Sequence, residues 1–234
     1  VAEPEKFQGF SPQAIKFWRD LTRHNNRAWF EENKTLYQRE VLEPSRALVS
    51  AMGGPLKKLA PLVNAEPKVN QSLFRIYRDV RFSKDKSPYK THLGLWWWEG
   101  PGPRMECSGF YFQLEPPTVM LAVGMHRFPK FLLPAYRQAV ADDKLGRALE
   151  RAVKKVRQAG YEVGGQGYKR VPRGFDPEHP RGELLKHDGL WAAYETDIPE
   201  EIHTADFPAW CLPHFRAMAP LHQWLLELTV REFI

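Results

Sequence analysis

The sequence predicts an α+β fold, a compact antiparallel sheet of three to five strands packed against N-terminal and C-terminal helices. Three observations predict it. Before residue 64, apolar residues recur at helical spacing behind capping side chains. Between Val69 and Met125 the period shortens to two, with tight proline-containing or polar links. After Phe128 the helical spacing returns and, apart from one stretch rich in glycine and proline, continues to the end of the chain.

Each element has its own signal. Ser11-Pro12 supplies a capping side chain and a proline at the first helical position, and Ile15, Phe17, Trp18 and Leu21 form a stripe ending near His24. Asn25 and Asn26 cap a second helix whose core residues are Trp29, Phe30, Leu36, Tyr37, Val41 and Leu48. Pro44 is expected to kink or interrupt it, and Gly53-Gly54-Pro55 to stop it, with a shorter helix from Pro55 to about Val63. Phe74, Ile76, Val80 and Phe82 alternate, which predicts a strand within Val69–Phe82, and Leu93–Trp98 predicts another. Gly109–Leu114 and Val119–Met125 read as strands joined through Pro116-Pro117, which keeps the prolines out of the ladder. Helices are expected from Phe128 to Val140 and from Asp143 to Ala159. Residues 160–182 read as a surface segment with one short hairpin. A last helical region runs from Asp206 to about Val230, broken at Pro213 and Pro220. With no repeat, heptad or free linker, residues 1–234 read as one domain.

A chain of 234 residues, 43% hydrophobic, can close a core without staples. Two cysteines, Cys107 and Cys211, make no disulfide framework or zinc finger and argue for a cytoplasmic setting. No run approaches a membrane span, and Val1 to Lys6 lack the apolar core of a signal peptide. The net charge of +6 is uneven. Residues 68–90 carry a local +5 and residues 144–173 a local +7, against −7 over residues 174–234. An anionic partner follows from this distribution.

The chemistry concentrates in residues 75–90. On a strand, Arg75, Tyr77, Asp79 and Arg81 share one face and Ile76, Arg78, Val80 and Phe82 the other. Arginine forks suit phosphate or carboxylate oxygens, and Asp79 is placed to hold one arginine while another meets a ligand. Arg78 interrupts the apolar face, so it must pair with a carboxylate or reach out at an edge. Ser83 to Pro88 reads as a loop, but it lacks the glycines and the Gly-Lys-Ser/Thr ending of a phosphate-binding P-loop. Lys86 and Tyr89 complete the candidate set. The Gly167–Phe175 loop adds Lys169, Arg170 and Arg173. A shared pocket closed by Lys169 and Arg173 is the sharpest structural expectation. A network that merely fixes the strand uses the same residue types, so both readings stay open.

The run Arg75-x-x-Arg78-Asp79-x-Arg81-Phe82-x-x-Asp85-Lys86-x-x-Tyr89 resembles the signature of the DUF2461 family. Asn25-Asn26-x-x-Trp29-Phe30-x-x-x-Lys34-x-x-Tyr37 and Lys169-Arg170-x-Pro172-x-Gly174-Phe175 agree with it. The resemblance implies a bacterial type of protein of this length, without an assigned activity.

Other chemistries lack a signature. No His-Glu-x-x-His, Cys-x-x-Cys or Gly-x-Ser-x-Gly occurs, so no metal, cofactor or nucleophilic elbow is implied. An acid–base role falls to Asp79 or Tyr77 on proximity alone. Nucleic-acid binding is the rival class, on charge and on Trp96-Trp97-Trp98. Alternation on a strand turns Trp97 away from the other two, which denies them a single stacking platform.

Overall fold

The computed structural model describes residues 6–233. All but the last residue of the Val1–Lys6 segment read for a signal peptide lies outside them.

Helix α1, Pro12–Arg23, starts where Ser11 Oγ accepts the Ala14 amide, and it buries Ile15, Phe17, Trp18 and Leu21 as one stripe. Helix α2, Arg27–Leu36, is capped by Asn26, whose Oδ1 accepts the Trp29 amide at 3.0 Å. The helical path does not break at Pro44. A π-helical turn over Tyr37–Leu42, with the Glu43 amide donating back to the Gln38 carbonyl, widens the backbone ahead of the proline, which then sits in the first turn of α3, Glu43–Lys57. Nor does Gly53-Gly54-Pro55 stop the helix. Met52, Gly53 and Leu56 are buried there, and a side chain on Gly53 would meet the Ala65 methyl at 3.1 Å, so packing overrides weak propensity. The short helix expected up to Val63 is a series of turns instead.

The sheet comprises β1 (Leu93–Glu99), β2 (Ser108–Glu115), β3 (Thr118–Met125), β4 (Glu162–Gln166) and β5 (His187–Asp197). Its order is β1-β2-β3-β5-β4, antiparallel throughout. The fold is therefore α+β, with β1 and β4 as edges. Helix α4 (Leu132–Ala141) and helix α5 (Asp143–Gln158) precede β4, and the single turn α6 (Gly182–Leu185) precedes β5. The expected hairpin within 160–182 is replaced by a wider one: β4 pairs with β5 across the whole intervening segment. Strand β5 carried no clear alternation in sequence because Ala192 and Ala193 make both of its faces small and apolar.

Helix α7, Phe207–Phe233, passes through Pro213 and Pro220 unbroken. Neither proline is buried, whereas Phe215, Met218, Leu221 and Leu225 are. The carbonyls that lose a donor thus face outward, and the apolar side holds the helix on β2, β3 and β5. Arg181, 7% exposed, closes the end of α4 by donating to the carbonyls of Val140, Ala141 and Asp142.

Candidate functional site

Residues 72–90 do not form the expected strand. The amides of Phe74 and Trp96 donate to the carbonyls of Gly94 and Ser72, which pairs this segment with β1. Continuing that register would set Ile76 opposite His92. Ile76 instead accepts the Lys90 amide, and the Arg78 amide donates to Pro88, a slip of two residues at Thr91-His92. The ladder therefore decays into isolated bridges such as Tyr77 with Tyr89. The expected facing holds only as far as Val80: Arg75, Tyr77 and Asp79 are exposed and Ile76, Arg78 and Val80 are not. Phe82, expected on the sheltered face, is 96% exposed because the chain has turned into the loop there.

The arginines nevertheless have separate surroundings. Arg81 grips Asp79 through Nε at 2.9 Å and a second fork nitrogen at 2.6 Å. This pairing and the Arg81 amide hold the Asp79 carboxyl at about 2. Arg78 pairs across the loop with Asp85, which also accepts the amide and hydroxyl of Ser87. Bonds from Ser87 first, then Arg78, hold the Asp85 carboxyl well below the usual carboxylate range. Lys86 donates to the Val80 carbonyl at 2.9 Å. Three expected anion contacts, Arg78, Arg81 and Lys86, are thus engaged within one loop, and Asp79 holds Arg81 as expected of an orienting carboxylate.

Tyr89 is buried and serves as an anchor. Its ring stacks on Phe30 at 4.3 Å, and Tyr77 packs against both. The Asn25 amide pairs with the main chain of Tyr89, donating to its carbonyl at 2.9 Å and accepting its amide at 3.1 Å. Asn26 alone caps α2; Asn25 was legible as a helix cap and acts instead as a clasp.

Lys169 and Arg173 are exposed in the loop that follows β4. Their sheet edge is four strand spacings, about 19 Å, from β1. Among the described residues, no hydrogen bond, ion pair or ring contact joins residues 75–90 to 167–175. The two basic segments are not brought together into one pocket.

What lies between them is a groove of about 580 Å³ on the sheet face turned away from α7. This size suits a small molecule. Trp96, Tyr111, Ala122 and Ala193 stand in register across β1, β2, β3 and β5 and all line it, whereas Trp97, Phe110, Val123 and Ala192 point their side chains into the core. Phe74 forms one end and Arg127 the other, where it lies 3.7 Å from Asp188. Gly167, at the start of the Lys169 loop, packs on Asp188.

Three cations gather at the Phe74 end. Arg104, which also donates to the Gln71 carbonyl, lies 4.6 Å and Lys90 5.0 Å from the Phe74 ring centre. Arg75, whose charge also acts on Asp79, is close enough to act on Lys90. Burial first, then the charges of Arg75 and Arg104, push the Lys90 ammonium down. Among the described residues no carboxylate forms an ion pair with any of the three. Only Arg75 belonged to the expected set. Lys90 lies just past the signature, and Arg104 arrives from a 3-10 turn distant in sequence.

A second group escaped the sequence entirely. Ser108 and Glu99, paired on β2 and β1, meet His222 of α7 at 3.0 Å each, and Glu99 also accepts the Leu62 amide at 2.6 Å. Burial pushes the Glu99 carboxyl up, but His222 and the Leu62 amide outweigh it and leave it lowered. All three side chains are at most 3% exposed and on the core side of the sheet, so they bind α7 to the sheet rather than meet a substrate.

A family model described as a conserved hypothetical protein, DUF2461, matches residues 13–224. The chain belongs to the DUF2461 family. No curated protein and no solved structure matches it. In this DUF2461 chain the 25–37 and 75–89 stretches form one structural unit, with Phe30 and Asn25 holding Tyr89. The 169–175 stretch lies at the other edge of the sheet.

Proposed function

We propose that this DUF2461 protein binds an anionic small molecule, carrying a carboxylate or phosphate, in the sheet-face groove. The observation that carries the reading is that Lys90 and Arg104 both lie over the ring of Phe74, which lines one end of an apolar groove, with Arg75 near Lys90 and, among the described residues, no carboxylate ion-paired to any of the three. Like charges held together in a partly buried place repel one another, and a bound anion relieves that cost. On this reading the 75–90 motif divides: Arg75 serves the ligand, while Arg78, Asp79, Arg81 and Tyr89 shape the loop. Two unpaired, buried thiols, Cys107 and Cys211, favour the cytoplasm as the setting, and the family resemblance favours a bacterial one.

Thermal shift and calorimetry with phosphate, benzoate and phenyl phosphate test this. At least one anion raises the melting temperature. Arg75→Ala and Lys90→Met each weaken that anion about tenfold, the loss of one charge-assisted hydrogen bond. Arg81→Ala, engaged elsewhere, leaves the affinity unchanged. A panel without effect, or equal losses at Arg75 and Arg81, overturns the proposal. Tight binding of single-stranded DNA or RNA with a steep salt dependence would also overturn it, in favour of nucleic acid.

A further inference from the structure

The floor of the groove is barest on β3; on β2 it is covered by Tyr111 and by the Trp96 ring lying over Gly109. Behind the register row of Trp96, Tyr111, Ala122 and Ala193 runs a second row: Trp98, Gly109, Gly124 and Trp191. On β2 and β3 the second row has no side chain at all, and β3 adds only the Ala122 methyl to the first. A Cβ at Gly109 would lie 2.9 Å from the Trp96 ring, and one at Gly124 would strike the Leu190 carbonyl at 2.3 Å. The bareness is therefore fixed by close packing.

The walls are aromatic and held in place. Trp96 uses its ring N–H on the Arg104 carbonyl at 3.0 Å, which leaves the indole's apolar surface for the groove. Trp191 lies against Gly164 on the next strand, where an added Cβ would fall 2.3 Å from its ring. It is thereby drawn away from the floor. Phe74 meets Tyr111 edge-on at 6.1 Å and carries Lys90 and Arg104 close to its ring. From β1 to β5 the slot crosses three strand spacings, about 14 Å. It is broad and flat rather than a narrow tube.

From this shape we infer that the ligand is a flat fused aromatic ring bearing one carboxylate or phosphate. The ring lies over Ala122 and Gly124 of β3, between Trp96 and Trp191, and its anionic group meets Arg75, Lys90 and Arg104. This rests on the anion-binding reading above. A rigid ring fills a broad slot without losing internal freedom, whereas an alkyl chain must freeze its torsions and still leaves the aromatic walls half covered. Flat faces against aromatic walls also gain stacking geometry that a chain lacks.

The test compares 2-naphthoate with octanoate, equal in charge, by calorimetry on the whole protein. The inference expects 2-naphthoate to bind at least tenfold more tightly. It also expects Ala122→Leu and, separately, Ala193→Leu to weaken 2-naphthoate at least tenfold, with melting temperatures near that of the parent protein. If octanoate binds as well as 2-naphthoate and Arg75→Ala weakens both, the aromatic inference fails and the anion reading stands. If neither they nor phosphate binds, both fail. Tight 2-naphthoate binding that ignores both leucine variants places the ligand elsewhere and overturns the inference.

Discussion

Arg75, Arg78 and Arg81 recur every three residues, yet each meets different company. Arg81 turns back on Asp79 and Arg78 reaches across to Asp85, while Arg75 forms no ion pair among the described residues and its charge acts on both Asp79 and Lys90. The alternation that exposes Arg75 was readable from the sequence. Which arginine remains available was not, because it depends on how the Ser83–Pro88 loop closes and on Arg104 arriving from elsewhere. The loop's own pairs have a defined response to acid. Both carboxyls titrate below their unfolded values, so their contribution is complete above the ordinary aspartate range, about 3.9, and is lost as pH falls through the lower folded values. Exchange protection of the Arg81 and Ser87 amides, which donate to these carboxylates, is therefore expected to match at pH 4 and pH 7. It declines only towards about pH 2, as amide exchange by NMR would read.

At the scale of elements, local signals located the other helix starts but not that of α4, which begins at Leu132 rather than Phe128, and tertiary packing decided where helices ended. Ser11, Asn26 and Asp142 cap helices at positions that composition and spacing suggest. Pro44, Pro55, Pro213 and Pro220 look like breaks and are all accommodated, Pro44 through the π-helical turn ahead of it and the others because burial of the neighbouring turns outweighs a missing hydrogen bond. Strand β5 was illegible for a different reason: its inward and outward residues differ in size more than in polarity. The Asn25 clasp was hidden because asparagine before a helix reads first as a cap. Asn25→Ala removes two hydrogen bonds to a buried tyrosine's backbone and is expected to cost about 1–3 kcal/mol. Urea denaturation would measure this, and faster amide exchange at Tyr89 would show that the loss begins at the clasp.

For the molecule as a whole, the fold class and the two basic regions were both legible in the sequence. Their relation was not, since it depends on the strand order β1-β2-β3-β5-β4, which sends residues 75–90 and 167–175 to opposite edges. Charges so far apart are screened from each other at physiological salt, where the Debye length is about 8 Å. The double variant Lys169→Glu, Arg173→Glu is accordingly expected to change the affinity for 2-naphthoate by less than about twofold. Calorimetry on that variant would show it, and a large loss would mean that the far loop reaches the ligand's charge.

The glycines and alanines along the groove floor carry one more consequence, for how this surface is explored by mutation. Alanine scanning deletes atoms, and here there is almost nothing to delete. Such a scan would pass over Ala122 and Ala193 in silence and, at Gly109 and Gly124, would report only misfolding. A library that adds bulk, one methyl or one isobutyl group at a time, is the instrument that makes this region speak.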